Sequence, residues 1–217
     1  RFRDPNARVH LFSRRDDEAQ ELLSEVRYGL EHLHEWMRLP VVRSTTHEYR
    51  LWAGNEDSRL VKAYPIGEDT AVEATCTHGH VDEWARMGNP RRTWQALEPS
   101  MAGTCHFVTT GLGPTNWTSS YWRRCLAGDA LDREGNPVYP CFIGALARPG
   151  RSEAWLRTKW ASMGDEQAAR HEYPLAWEDA LSGGGDFVFR SSEVNQAGVD
   201  CRGLSEPRPE RLYVQAW

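Results

Sequence analysis

Apolar residues follow two spacings in the first part of the chain, and each spacing predicts a different element. Residues 8–13 form a short apolar run that is typical of a strand. The apolar residues that follow recur every three or four positions, which predicts a long amphipathic helix ending before Pro40. Those helical positions are Ala19, Leu22, Leu23, Val26, Leu30, Leu33 and Met37.

Shorter segments continue the alternation of strands and helices. Strands are predicted at 48–51, at 59–63, in a segment ending at Val81, at 106–110 and at 138–145. Helices are predicted at 90–97, 119–126, 152–162 and 165–172. Strands that alternate with helices favour an α/β domain with a mostly parallel sheet flanked by helices.

The chain changes character after residue 145. Pro149 and Gly150 mark a break, so a core at 1–145 and a smaller helical unit at 146–203 are predicted. Three glycines at 183–185 are typical of a hinge. Residues 204–217 are predicted to form a polar linker and the first strand of another domain.

Composition places the chain among ordinary globular proteins, with 40% hydrophobic and 26% charged residues. Five cysteines without a CxxC pair favour reduced thiols over a disulfide framework. The sequence has no apolar run long enough for a membrane span and no secretory signal, so we expect a cytosolic protein. The net charge of -5 does not indicate nucleic-acid binding, although acidic enzymes can carry a basic channel.

Asp82 and Glu83 follow the apolar Val81 at a predicted strand end. At the carboxyl end of a parallel strand, side chains reach the crevice where open α/β sheets bind ligands. An aspartate suits a hold on Mg²⁺ through water, because this ion keeps several of its waters. A glutamate one residue later can polarise an attacking water. The pair predicts a nucleotide-hydrolysing site; the alternative is an acidic pair on a solvated surface.

A second set of polar residues ends the next predicted strand. Thr109 and Thr110 offer hydroxyls, and Gly111 and Gly113 expose backbone N–H groups. The alternative is an ordinary strand-to-helix turn, in which glycine and proline are expected. Because one helix separates the two strands, a right-handed crossover would place this set beside the Asp-Glu pair.

Two further groups of residues keep alternative interpretations open. Cys76, His78 and His80 would share one face of a strand, and Cys105 with His106 would lie on its neighbour, which makes a zinc site conceivable. Packed or exposed histidines are the alternative. Basic residues at 148–159 form either a solvated helix face or a surface for DNA or a neighbouring subunit. They are Arg148, Arg151, Arg157 and Lys159.

Several of these segments occur in the order of the motifs of one viral family. The residues VDEWA at 81–85 are followed by a helix and Glu-Pro-Ser at 90–100. VTTGLG at 108–113 then precedes an aromatic helix with Tyr121 and Trp122. This succession resembles the large terminase subunit of tailed bacteriophages, with its Asp-Glu motif and its Ser/Thr-rich coupling motif.

The resemblance covers nearly the whole chain. Residues 11–19 are similar to the strand and helix that follow the Walker A helix in that family. The segment 171–180 (HEYPLAWEDA) is similar to part of its lid subdomain, and 212–217 to the first strand of its nuclease domain. The family therefore implies a P-loop NTPase-like (ASCE) core, a lid at 146–203, and the beginning of a nuclease domain.

The resemblance also implies the roles of the candidate residues. ATP and Mg²⁺ would be the cofactors, with Asp82 holding Mg²⁺ through water and Gly111 helping to bind the nucleotide. Glu83 would be the catalytic carboxylate. Thr109 and Thr110 would couple loss of the γ-phosphate to movement of the lid.

For the protein as a whole, the resemblance implies a DNA-packaging motor. ATP hydrolysis would drive double-stranded DNA into a procapsid through the portal protein. Other implied partners are the small terminase subunit and further copies of the chain in a ring. The motor would work in the host cytoplasm, docked transiently on the procapsid.

The sequence departs from the family pattern in ways that favour other hypotheses. No GxxxxGK[ST] loop is present, so this chain alone is expected to bind nucleotide poorly and to be inactive. Residues 77–80 (THGH) replace the apolar residues expected before Asp82. The Gly-Arg turn that can carry the family's arginine finger is not recognisable, and Arg59 and Arg86 are candidate substitutes. A non-catalytic assembly module that retains the fold is the main alternative, and a helicase-type translocase is another.

Overall fold

The computed structural model describes residues 6–54, 57–66 and 75–182. The strands are β1 (Arg8–Ser13), β2 (Val41–Ser44), β3 (Glu48–Gly54), β4 (Asp57–Pro65), β5 (Cys76–Val81) and β6 (Met101–Phe107). The α-helices are α1 (Asp16–Glu31), α2 (Pro90–Leu97), α3 (Trp117–Ala127), α4 (Glu153–Met163), α5 (Glu166–Glu172) and α6 (Trp177–Leu181).

The six strands form one sheet in the order β2-β3-β4-β1-β5-β6. Neighbouring strands are parallel from β4 through β1 and β5 to β6, while β2, β3 and β4 pair antiparallel. The predicted α/β class and mostly parallel sheet are therefore confirmed. β5 and β6 are neighbours with α2 between them in sequence, as the crossover argument requires.

Two apolar clusters lie on opposite faces of this sheet. α1 packs against β1, β3 and β4, where Leu23 and Tyr49 are buried. On the other face α2 and α3 cover Phe12, Val81 and Met101. β1 contributes Leu11 to the first cluster and Phe12 to the second, so it is the strand that both layers cover.

Helix α1 ends at Glu31, several residues before the predicted end. The backbone N–H and the ring Nδ1 of His32 both donate to the Tyr28 carbonyl, at 3.0 and 2.8 Å, and the two rings stack. The helix ends here with His32 as its C-cap, and a separate 3-10 turn forms at Glu35–Met37.

The strand predicted at 138–145 was wrong. In the structure this segment is irregular, and a 3-10 turn begins at Ala145. Val138 donates its N–H to the Ala130 carbonyl, and Pro140 has no N–H to offer a neighbouring strand. Tyr139 and Ile143 are largely exposed, and of the apolar residues in this segment Val138 and Ala145 pack without forming a strand.

Other predicted bounds shift by a few residues. β6 ends at Phe107, which leaves Thr109 and Thr110 in the segment after the strand. α4 and α5 lie where two short helices were predicted, and α6 follows them. The predicted hinge at 183–185 and the segment 204–217 lie outside the described residues, and the division into domains remains a prediction.

Candidate functional site at the tips of β5 and β6

Backbone hydrogen bonds hold the Asp82–Glu83 pair between two neighbouring segments. The Asp82 N–H donates to the Phe12 carbonyl at the end of β1, at 2.9 Å. On the other side, Val108 donates to Val81 at 2.8 Å and receives a bond from the Trp84 N–H at 3.1 Å. The pair is therefore at the carboxyl end of β5, where the strand pattern predicts it.

The indole of Trp84 anchors the turn that carries the acidic pair. It is buried among Trp94, Phe107 and Tyr121, and its Nε1–H donates to the Pro90 carbonyl at 3.0 Å. An indole buried with its N–H satisfied holds its backbone firmly. The turn before it is consequently fixed relative to α2 and β6.

Glu83 has a left-handed backbone, with φ of 50°. Among the described residues no other non-glycine residue has a positive φ. Such conformations persist where the surroundings impose them, and they concentrate at functional sites. Arg86 Nε lies 2.9 Å from Glu83 Oε2, an ion pair that lacks hydrogen-bond alignment.

Thr109 connects the two strand tips directly. Its Oγ1 accepts the N–H of Ala85 at 2.9 Å and donates to the carbonyl of Thr110 at 2.9 Å. Ala85 lies two residues after Glu83, so the hydroxyl of one tip fixes the backbone of the other. The predicted meeting of the acidic and hydroxyl-bearing segments is present, and Thr110 itself is exposed.

Gly111 lies against the helices that follow. Its carbonyl accepts a bond from His171 Nε2 of α5 at 2.9 Å. A Cβ at this position would overlap the carbonyl oxygen of Ala180 in α6. The structure therefore places Gly111 at a helix contact, while Asp82 and Glu83 line an open cleft.

The cleft has a volume of about 370 Å³ and is predominantly acidic. It lies between the flank of α1 and the tips of β1 and β5. Arg14 pairs with Glu18 at 2.7 Å, and Glu18 above all, with Glu83 more weakly, raises the pKa of Arg14. The lining residues are Arg14, Glu18, Glu21, Leu22, Glu25, Asp82, Glu83 and Arg86.

Five carboxylates against two guanidinium groups make the cleft repulsive to a free polyphosphate. A divalent cation would reverse that repulsion, and carboxylate oxygens are the ligands that Mg²⁺ prefers. Asp82 offers one such carboxylate at the strand tip, where it could hold the ion through a bound water. The donor set is therefore compatible with Mg²⁺.

The zinc alternative finds no support. Within 6–54, 57–66 and 75–182, no three His, Cys, Asp or Glu side chains converge on a metal-sized space. The pairing of β5 with β6 shifts between Cys76 and His78, with the additional residue in β6, and Cys76 is buried whereas His78 and His80 are only half-buried. Burial raises the pKa of Cys76 to about 11 and that of Cys105 to about 12, so both thiols stay protonated.

The basic residues of the helical region are partly engaged within the chain. Arg157 pairs with Glu153 at 3.1 Å, and Arg151 lies over the Trp155 ring. Both interactions are compatible with a solvated face, and neither prevents contact with DNA. The two alternatives for this surface therefore stay open.

Sequence reasoning missed two residues that contact this region. Arg14 follows β1 and reaches the cleft, and His171 binds Gly111 from 60 residues away. Arg86 was considered only as a substitute arginine finger, whereas the structure pairs it with Glu83. Its spacing of three residues from Glu83 was the signal, because residues that far apart meet on one side of a helical turn.

Solved structures share this architecture. The large terminase of a thermophilic bacteriophage aligns with a TM-score of 0.56 and 10% identity, over 76% of this chain and 39% of that one. The complex of the same terminase with ADP aligns with a TM-score of 0.54 and 9% identity, over 71% of this chain and 37% of that one. The chain thus spans under two-fifths of those terminase chains.

A separate ATPase domain matches more completely. The ATPase domain of the large terminase of a Thermus phage, in a mutant form, aligns with a TM-score of 0.53 and 15% identity. The alignment covers 82% of this chain and 78% of that domain. At these identities the likeness shows the fold, which is the P-loop NTPase-like fold of terminase ATPase domains.

No protein-family model matches the sequence, and no curated protein matches it significantly. Among the described residues, none of the helices combines the length and the apolar character needed to cross a membrane.

Proposed function

We propose that this chain is the ATPase part of a phage DNA-packaging motor, coupling ATP hydrolysis to translocation of double-stranded DNA into a procapsid. The observation that carries the proposal is the bond between Ala85 N–H and Thr109 Oγ1, which joins the acidic tip to the hydroxyl-bearing segment. The shared fold of terminase ATPase domains supports it.

In this proposal each residue at the tips has a distinct task. Asp82 would hold Mg²⁺ through water, and the ion would supply charge neutralisation for the phosphates. Glu83 orients and deprotonates the attacking water after its carboxylate leaves Arg86. Thr109 and Thr110 respond to loss of the γ-phosphate because their segment is bonded to the turn after Glu83.

The phosphate cradle has to come from outside the described residues. β6 is the last strand of the sheet in the described part of the chain, and its outer edge can pair with one more strand. A strand there would end beside Thr109, close enough for a phosphate-binding loop to face Asp82.

The proposed partners of the motor are the portal protein, the small terminase subunit and further copies of the chain in a ring.

The acidic pair is tested in the protein expressed from its complete gene. Glu83→Gln should lower ATP turnover by about 10²-fold or more while ATP binding persists, because the water loses its base. Glu21→Gln is the matched control, since it removes another carboxylate from the same cleft. Full turnover in the Glu83→Gln protein would refute the catalytic assignment.

A non-catalytic assembly module is the second candidate. The acidic cleft and the Glu83–Arg86 pair favour it, because both oppose nucleotide binding in the chain alone. Titration calorimetry on residues 1–217 should detect no ATP binding at micromolar concentration under either hypothesis. ATP binding and turnover by the complete gene product separate the two, since the assembly module would show neither.

A further inference from the structure

The backbone of Gly111 attaches the segment after β6 to helices α5 and α6. His171 Nε2 donates to the Gly111 carbonyl at 2.9 Å, and the partly buried ring closes one side of the contact. On the other side the Ala180 carbonyl and the Leu181 side chain approach the space that a Cβ of Gly111 would occupy. Only a glycine permits this approach without displacing α6.

A continuous set of bonded groups leads from this contact to the acidic pair. Thr109 Oγ1 donates to the carbonyl of Thr110, the residue before Gly111. The same oxygen accepts the N–H of Ala85, two residues after Glu83. A displacement of the Thr109–Gly111 backbone that keeps these bonds moves the turn after Glu83, the helices, or both.

A further hydrogen bond and helix packing hold the helices together. The Ala145 N–H donates to the Pro174 carbonyl, in the link between α5 and α6, at 2.8 Å. α4 packs against α5, and α5 against α6, so the three helices form one packed group. A push at Gly111 would therefore act on the three helices together.

We propose that Gly111 and His171 form a joint that transmits displacement between the Thr109–Thr110 segment and helices α5 and α6. Its role in a motor cycle rests on the proposed function, whereas the mechanical connection does not. Both residues act as positioning residues, since neither lines the cleft that Asp82 and Glu83 line.

The joint is tested by amide hydrogen exchange on the nucleotide-free chain, read residue by residue by NMR. Gly111→Ala forces α6 away, and His171→Leu removes the donor to the Gly111 carbonyl. His171→Gln keeps a side-chain N–H at a similar reach. Gly29→Ala is the control, because a Cβ at Gly29 meets no atom within 4 Å.

Three amides report the result. Tyr173 N–H, bonded to Ala169, reports α5; Ala85 N–H reports the acidic turn; Val108 N–H, bonded to Val81, reports the sheet. In Gly111→Ala and His171→Leu we expect Tyr173 and Ala85 to exchange at least about threefold faster, with Val108 unchanged. His171→Gln and Gly29→Ala should behave like the original chain.

Faster amide exchange at Tyr173 without faster exchange at Ala85 would contradict the proposal. The contact would then hold the helices in place without transmitting displacement to the acidic turn. Unchanged exchange at both amides in both variants would overturn it as well. If Gly111→Ala fails to fold, His171→Leu and His171→Gln decide the question. Since no nucleotide is present, loss of the proposed ATPase function leaves this measurement unaffected.

Discussion

The two halves of the sheet are covered on opposite faces. The β3, β4 and β1 half packs its apolar face on α1, while the β1, β5 and β6 half packs on α2 and α3. On the α1 side the cover stops at β1, so Thr104 and His106 of β6 are exposed and His78 and His80 of β5 only half-buried. On that side of the sheet the first half is a packed layer, and the second half is open.

This difference locates the candidate site. The acidic cleft opens where α1 ceases to cover the sheet, between the helix flank and the tips of β1 and β5. A fully covered sheet would leave no room for a ligand at those tips. The histidines of β5 face the side that α1 leaves uncovered, and the same lack of cover leaves a crevice open at the end of the strand.

The largest expected effect comes from opening the covered half. Leu23 of α1 is 0% exposed, and its truncation in Leu23→Ala should lower the free energy of unfolding by about 3 to 4 kcal/mol, because a cavity remains. Thr104→Ala, on the open face of β6, should change it by less than about 0.5 kcal/mol. Urea denaturation of both variants measures the contrast.

A loss at Thr104 comparable to that at Leu23 would mean that β6 is covered on both faces. A loss of under about 1 kcal/mol at Leu23 would mean that α1 contributes little to the core. Either outcome would remove the distinction between the two halves.

The covered half was the easier part to predict. Apolar spacing identified β1 and α1, because a helix packed on one face must repeat its apolar residues. The end of α1 was missed because the apolar spacing continues through Leu33 and Met37, although the helix ends at His32 and Met37 lies in a separate turn. The segment 138–145 was mistaken because apolar composition alone does not supply a strand partner.

In the open half, residue types located the candidate site although strand patterning was weak. The Asp-Glu pair and the hydroxyl pair were identified, and their proximity followed from the crossover rule. Gly79 shows what the sequence concealed, since a Cβ there would lie 2.6 Å from Met101 Cε and 2.8 Å from Cys105 Sγ. The glycine permits close packing of β6 on β5. In the sequence the same glycine only interrupted the expected apolar pattern of the strand.

A smaller effect tests the strand that both layers cover. His10 of β1 is buried beside Phe12 and Tyr64, and burial, with smaller contributions from Lys62 and Arg8, lowers its pKa to about 4. The unfolded chain keeps the ordinary value of 6.5, so between pH 6.5 and pH 4 it binds more protons than the folded chain. Stability should therefore fall as the pH decreases through this range.

We expect the free energy of unfolding to be about 2 to 3 kcal/mol lower at pH 4 than at pH 7 from this residue. Urea denaturation of His10→Phe against the original chain isolates the contribution, because carboxylates titrate alike in both. Equal pH dependence in the two proteins would show that His10 is not desolvated and that β1 is open on one face.

The smallest effect concerns the tip of the open half. Glu83 carries a left-handed backbone that asparagine adopts more readily than other non-glycine residues. Glu83→Asn should therefore raise the free energy of unfolding by about 0.5 to 1 kcal/mol relative to Glu83→Gln, since both substitutions remove the charge paired with Arg86 and only one relieves the strain. Chemical denaturation of the two variants measures that difference. Equal stabilities would show that the backbone costs nothing here, whereas the expected gain measures the free energy that the left-handed conformation costs at this tip.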